Sequence, residues 1–553
     1  MTNLSNSNAM DFAQDIEAYA KDVAQFNAGT ITPDAFKGLA SRRGVYEQRE
    51  SGTFMLRVRL TGGVLTAAQA RLFATLSRQY ADGGLHVTTR QNIQFHGLRI
   101  GDTPEVMRRL MREGLLSIGG GGNTVRTVVT CPYAGVCPSE VFDVTPYAQA
   151  ITDYLLLLSG SYTLPRKYKI ACSGCRADCA FARATDLGCI AEVRGGVPGF
   201  RLYAGGGMGA LSRPADLLQE WIPAMEIVRV AETVRRLFDR LGDRTNRARA
   251  RLRYAVERIG LPAFREQFEA ELAVVQSDAV PFCVEAVTLR SSTEAKMPVV
   301  EPATPARAGL RVVSQQQPGL VSVPLHVPLG VLPAADLEAL AGIAATISGE
   351  AGLRATRDQN LIMRSVPVEK LPALVAALQG LTTNMVTPCE VEHFVACTGA
   401  TTCRLGLCWS RGVGKAAAAA IQEAGLSEIL HDLMIHVSGC PNACGQHPLA
   451  VLGLCGAQMR HEGHSLPTYK VMLGGRDKET GAVFSKSAGM LPARAAPQAL
   501  VALLHDYEAN RQSGEPFMAY VDRREPIHFE ALIKAHQAIP SFEENPDFYS
   551  DWK

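Results

Sequence analysis

The residues best suited to chemistry here are cysteines. The chain has 14 of them, and eight fall into two sets of the same design. Cys397-x5-Cys403 is followed by Cys440-x3-Cys444, and Cys131-x5-Cys137 by Cys175-x3-Cys179. Four thiolates offered by two short loops suit a cubane iron–sulfur cluster, because iron is soft enough to prefer sulfur and four ligands complete its tetrahedral sites. Two blander readings compete. Structural zinc favours C-x2-C knuckles, and small thiols can simply pack in a core. Pro441 stiffens the second loop, and Gly439 and Gly445 are read as letting the backbone approach a bulky cofactor.

The segments before each cysteine set are themselves a repeat. LRVRLTGGVLTAAQARLFATLSRQY with GLHVTTRQNIQFHGL is matched by LHVPLGVLPAADLEALAGIAATI with AGLRATRDQNLIMRSV. Each copy reads strand, turn, helix, strand. Met55, Arg57 and Arg59 alternate with Leu56, Val58 and Leu60, the period-two pattern of a half-buried strand. The Ala-, Leu- and Gln-rich stretch after Thr66 reads as a helix. A second strand is predicted through His86–His96. The two cysteine sets keep this order, and their flanks CSGCRADC and VSGCPNAC agree, so the chain should form two halves related by a pseudo-two-fold.

The 553 residues exceed one hydrophobic core and imply several domains. A net charge of +2 provides no bulk field for nucleic acid or a membrane. The first residues lack the basic and apolar regions of a secretory signal, and the longest apolar run is too short for a bilayer. A soluble, cytoplasmic protein is expected, in which disulfides are improbable and the cysteines are ligands, catalysts or packing. The segment SSTEAKMPVVEPATPARAGLRVVSQQQPG, at 291–319, is rich in Pro, Ser, Ala and Gln and reads as a linker. The aromatic tail PSFEENPDFYSDWK is expected to dock. Neither a G-x-G-x-x-G between strand and helix nor a P-loop is evident, so electrons must come from a partner.

VACTGATTCRLGLCWS followed by HVSGCPNACGQH resembles the cluster-binding signature of the sirohaem sulfite and nitrite reductases. The likeness continues at FMLRVRLTGG, TTRQNIQFHG, LPRKYKIACSGC, YAGGGMG and DRTNRARARLRYAVERIG. It implies an α+β, pseudo-two-fold duplicated sulfite-reductase fold. On that pattern 1–50 is an N-terminal helical arm and 51–115 a ferredoxin-like lobe. Residues 116–290 form the sirohaem- and substrate-binding domain of the first half. After the linker, 320–385 is the second ferredoxin-like lobe and 386–553 the iron–sulfur and sirohaem domain.

The resemblance also implies roles. Cys397, Cys403, Cys440 and Cys444 would bind a 4Fe–4S cluster, with Cys444 bridging to the sirohaem iron. Arg57, Arg126, Lys167 and Lys169 would hold the anion, the lysines as proton donors. Arg90, Gln94, His96, Arg166 and Asn442, with the backbone of Gly205, Gly206 and Gly207, are nominated for sirohaem, whose carboxylates suit arginine. One of the arginines in the run Arg244, Arg247, Arg249, Arg251, Arg253 is expected to join them. Lys169 stands where nitrite-specific relatives tend to carry an amide, so the expected reaction is six-electron reduction of sulfite to sulfide. Nitrite reduction to ammonia is the alternative, and an iron–sulfur electron carrier without sirohaem is the alternative from another class. Ferredoxin or a separate flavoprotein would be the donor. The chain departs from the pattern in its complete first cysteine set. Cys131, Cys137, Cys175 and Cys179 either bind a second 4Fe–4S cluster or remain as packing thiols, with Cys172 and Cys189 close enough to blur the assignment.

Overall fold

The computed structural model describes residues 11–277, 284, 300–302, 310–385, 393–478 and 481–553. Helices Phe12–Asn27 and Pro33–Arg42 open the chain. The first is capped by Asp11 and the second by Thr32, whose side-chain oxygens accept free N–H groups of the first turn. The arm read over 1–50 is not wholly helical. Val45–Glu47 is an edge strand paired with Phe54–Val58, so the first lobe begins before residue 51.

Each lobe is a sheet backed by a helix. In the first, strands Phe54–Val58, Ile93–Leu98 and Gly84–Val87 lie side by side, backed by helix Ala67–Tyr80, whose N-terminus is closed by a Thr66/Gln69 capping box. In the second, strands Leu320–Leu325, Leu361–Pro367 and Gly352–Ala355 are backed by helix Ala334–Ile347. The lobes exchange strands. Val64–Thr66 pairs with Gly352–Arg354 of the other lobe, and Val331–Pro333 pairs reciprocally with Gly84–His86. Gln91 and Gln359, both left-handed, repeat the exchange by donating to the carbonyls of Ala355 and Val87 at 3.0 and 3.2 Å. One continuous apolar core runs through both lobes, including stacked Phe73 and Phe95 with centroids 5.4 Å apart.

Two predicted elements differ. The single strand over His86–His96 is a hairpin. Thr88 N–H bonds the Asn92 carbonyl at 2.9 Å and the Thr88 hydroxyl accepts Asn92 N–H at 3.1 Å, turning the chain through Thr88–Asn92. Inside the stretch read as linker, Arg311–Ser314 and Val300–Pro302 extend the second lobe's sheet; the rest of 291–309 lies outside the described residues.

Each lobe is followed by a second sheet with its own core. In the first half Val129–Thr130, Ile170–Ser173 and Leu187–Arg194 run parallel and continue into antiparallel strands. In the second half Phe394–Ala396, Ile435–Ser438 and Leu452–His461 do the same. The tail docks as expected: the Trp552 indole donates to the Ala493 carbonyl at 2.9 Å, and an Asp551 carboxylate oxygen accepts Trp409 N–H at 2.6 Å.

Candidate active site

The second cysteine set sits where parallel strands end. Cys397 follows Phe394–Ala396 and Cys440 follows its neighbour Ile435–Ser438, so both leave at the carboxyl edge of one sheet. Cys403 is reached through a tight turn in which its N–H bonds the Gly399 carbonyl at 3.0 Å. Ala443, at φ 55°, turns the chain so that Cys444 follows Cys440 on the same loop. Gly439 N–H donates to the Cys397 sulfur at 3.2 Å, and the Asn442 amide to the Cys440 sulfur at 3.5 Å. Asn442, which the sequence suggested for sirohaem, thus bonds a thiol of the cysteine set. Gly439 is needed for packing, since a Cβ there would lie 2.5 Å from the Cys408 carbonyl. Gly445 likewise packs on Val437.

Cys440 is buried, Cys397 and Cys403 are half-buried, and Cys444 is exposed. A set with one thiol turned outward can share that sulfur with a second metal centre. Among the described residues no three His, Cys, Asp or Glu side chains are arranged to hold a single metal ion. A cubane asks for a wider frame, because its four thiolates bind four different irons.

The loop bearing Cys444 is tied to the first half. The Thr89 hydroxyl donates to the Cys444 carbonyl at 2.7 Å, and the Gln446 amide to the Thr89 carbonyl at 2.9 Å. This is what the hairpin achieves: it carries Thr89 and Arg90 to the cysteine loop. Arg49 donates to the Gly406 carbonyl at 2.6 Å and Arg404 pairs with Glu47, anchoring the other loop to the edge strand.

Four predicted cations gather here. Arg57 and Arg126 donate to one carbonyl, that of Gly120, at 3.0 and 3.1 Å. Gln94, with its amide oriented to satisfy both groups, accepts two Arg57 N–H bonds at 2.7 and 2.9 Å. It orients Arg57, where the sequence suggested a sirohaem ligand. Lys167 lies near Cys444, Arg126 and Arg251, and Lys169 near Lys167, Arg90 and Arg251. Desolvation, then Arg251, pushes Lys167 down to about 7. Desolvation, then Lys167, holds Lys169 well below the usual lysine range. Arg59, on the same strand face as Arg57, instead turns into the fold and donates to the Val125 carbonyl at 2.8 Å.

Several buried donors around this crevice have no acceptor within the protein. Gln48 donates to His96 Nδ1 at 3.2 Å while its own oxygen accepts Gly97 N–H. The ring hydrogen is thereby placed on Nε2, which has no partner. Burial pushes His96 down to about 3, so the ring is neutral. The Nε atoms of Arg90, Arg126 and Arg253, and Nη1 of Arg253, are likewise unpartnered. Unmet guanidinium and imidazole N–H groups fit a ligand rich in carboxylates.

The arginine run resolves into two sorts. Arg251 and Arg253 are buried, whereas Arg244, Arg247 and Arg249 are exposed. Arg251 forms a forked pair with buried Asp186, at 2.9 and 2.8 Å from Nη2. Arg166 makes a long 3.4 Å bond to Asn123 at the rim. The glycine run behaves differently from expectation. The N–H groups of Gly205 and Gly207 are taken by the carbonyls of Asp186 and Arg213, at 3.0 and 2.9 Å. A Cβ at Gly207 would meet Arg251 Nη2 at 2.7 Å, so glycine there makes room for the arginine. Tyr46, Gln48, Thr89, Asp186 and Gln446 were not singled out from sequence, and none lies in a spacing that would mark it.

The description "Nitrite and sulphite reductase 4Fe-4S domain" matches residues 121–275, and "Nitrite/Sulfite reductase ferredoxin-like half domain" matches 46–113 and 313–381. The ferredoxin–nitrite reductase of Synechococcus elongatus is 33% identical over 433 residues, covering 77% of this chain and 80% of that protein. The chain belongs to the nitrite and sulphite reductase family. The spinach chloroplastic ferredoxin–nitrite reductase is 31% identical, covering 80% of this chain and 74% of that protein. The structure of the Mycobacterium tuberculosis NirA protein matches with a TM-score of 0.78 and 25% identity, covering 93% of this chain and 97% of that one. This nitrite/sulphite reductase is accordingly an oxidoreductase, and family membership implies a 4Fe–4S cluster and sirohaem. No helix among its described residues is long and apolar enough to cross a membrane.

Proposed function

We propose that this reductase converts nitrite to ammonia by six electrons, drawn one at a time from a ferredoxin. The observation that carries the reading is the gathering of Arg57, Arg126, Lys167 and Lys169 beside the exposed thiol of Cys444. The names of the Synechococcus and spinach relatives favour nitrite and ferredoxin over sulfite and a flavoprotein. Cys397, Cys403, Cys440 and Cys444 would hold the cluster, with the Cys444 sulfur shared. Arg90, His96 and Arg253 would meet the carboxylates of sirohaem. Sirohaem, when bound, supplies a redox-active iron with a position open to the anion.

The chain's own groups do the rest. Arg57 and Arg126 stay charged at any working pH and hold the anion's oxygens, with Arg57 kept in place by Gln94. Each oxygen leaves nitrogen as water, which takes two protons: Lys167 hands over one, and Lys169 beside it or solvent supplies the other. The neighbouring cations that lower the proton affinity of Lys167 make it a better donor near neutral pH.

Sulfite remains the second reading, favoured by Lys169, which completes a cation set suited to a dianion. Steady-state rates with both anions and one reduced donor decide between them. The proposal expects a higher kcat/KM for nitrite; a higher value for sulfite overturns it.

A further inference from the structure

Cys131, Cys137, Cys175 and Cys179 take no part in the site above. All four are buried, and their thiols lie together. Cys179 is in hydrogen-bonding contact with both Cys131 and Cys175, and Cys137 lies near those two as well. Cys172 and Cys189 lie on the paired strands themselves, facing each other across Ile170–Ser173 and Leu187–Arg194 rather than on the loops that carry the four.

The loops that carry the four cysteines repeat those of the C-terminal set in detail. Cys131 follows Val129–Thr130 and Cys175 follows its parallel neighbour Ile170–Ser173. Cys137 N–H bonds the Tyr133 carbonyl at 2.8 Å, as Cys403 N–H bonds Gly399 at 3.0 Å. The Ser173 hydroxyl accepts Ala180 N–H at 3.2 Å, as the Ser438 hydroxyl accepts Gly445 N–H at 3.0 Å. Asp178, at φ 52°, precedes Cys179 as Ala443, at 55°, precedes Cys444. Packing thiols need none of these bends.

Three buried arginines surround the set. Arg364 donates to the carbonyls of Pro132 and Ala134 at 3.2 and 2.7 Å, inside the loop between the first two cysteines. Arg357 donates to the Cys179 carbonyl. Arg354, 6% exposed, makes one long hydrogen bond, 3.5 Å to the Thr145 hydroxyl, with Glu350, Asp143 and Cys131 as its nearest anionic groups. Part of this charge is met within the protein: Arg364 pairs with Glu350 at 2.6 Å, and the buried carboxylates of Glu140 and Asp178 lie near Cys175. The matched loops and the gathered thiols therefore carry the inference, with the arginines favouring the thiolate form of the set.

We infer that Cys131, Cys137, Cys175 and Cys179 bind a second 4Fe–4S cluster, which passes single electrons to the cluster of the C-terminal set. Arg357 links the two directly: it bonds the Cys179 carbonyl and, at 3.2 Å, the Gln446 side chain, and Gln446 and Thr89 continue to Cys444. In each transfer the second cluster is oxidised by one electron and the first reduced by one, with no bond made or broken. The ferredoxin proposed above re-reduces the second cluster. This set is not a second catalytic centre. Pro324 holds the strand position of Arg57 in the other half, and by distance from the C-x3-C pair Asp432 and Met434 stand where Lys167 and Lys169 do, so these positions offer no cation. The relay rests on the reductase reading; the site does not.

The test is stoichiometry on anaerobically purified holoprotein, measuring acid-labile sulfide against extracted sirohaem. Two cubanes give about eight sulfides per sirohaem and one gives about four. The Cys131→Ser/Cys175→Ser double variant should lose about half its sulfide and keep its sirohaem absorption. It should also lose one cluster signal from the electron paramagnetic resonance spectrum of the reduced protein. About four sulfides per sirohaem in the wild-type protein overturns the inference, whether or not the variant folds. About eight sulfides per chain with no sirohaem would sink the reductase reading and leave the second cluster standing.

Discussion

The two cysteine regions share a backbone and differ in their surroundings. Around the C-terminal set, the facing half contributes arginines and lysines, several with unmet hydrogen bonds, and one thiol is exposed. Around the N-terminal set, the fourth thiol is only 9% exposed, and Arg357 lies over the Phe181 ring just beyond it, 3.2 Å from the centroid. Phe181 and Gln446 occupy the same left-handed position of the two loops. In one half that position holds the Cys444 loop against Thr89; in the other Phe181 packs under Arg357. A duplicated scaffold thus keeps the same bends in both copies and changes which side chains face each cysteine set.

Substitutions can break this asymmetry at several points. The largest effect is expected at Cys444, whose thiol is the outward-turned one. Cys444→Ser should abolish nitrite reduction, and its visible spectrum should lose the features of a coupled centre. Lys167→Met should lower kcat by about 10²–10⁴-fold, the usual contribution of a positioned proton donor. Lys167→Arg sharpens that test: it keeps the charge, so KM for nitrite should change little while kcat still falls.

Stability is probed at the buried pair. Asp186→Asn leaves Arg251 without its carboxylate and should destabilise the protein by about 3–5 kcal/mol, read by denaturant unfolding. The smallest effect is in pH dependence. Lys167 acts as donor in its protonated form, and its surroundings bring its titration down to about 7. Activity should therefore decline as pH rises through that range, and Lys167→Arg should flatten the decline. A wild-type profile level from pH 6 to 9 would contradict the donor role.

Much of this arrangement could be read from the chain because loop ligands are encoded locally. The x5 and x3 spacings mark the cysteines, and the repeat marks the two halves. Other features depend on partners distant in sequence. The strands Val64–Thr66 and Val331–Pro333 are too short to show a period, and they exist only because each completes the other lobe's sheet. The turn at Thr88–Asn92 carries no glycine or proline; Gln91 takes the left-handed conformation because its side chain bonds across to Ala355. Arg251 cannot be told from its neighbours in a five-arginine run until Asp186 and Gly207 are seen against it. The bonds of Gly205 and Gly207 are hidden for the same reason: their N–H groups go to carbonyls that local sequence does not reveal.

The most direct test of the central claim, one scaffold carrying two unlike iron–sulfur regions, is Mössbauer spectroscopy of the holoprotein enriched in iron-57. Two cubanes in equal amount are expected, one magnetically coupled to the sirohaem iron through Cys444 and one uncoupled. A single cubane, or two with neither coupled to the sirohaem iron, would contradict it.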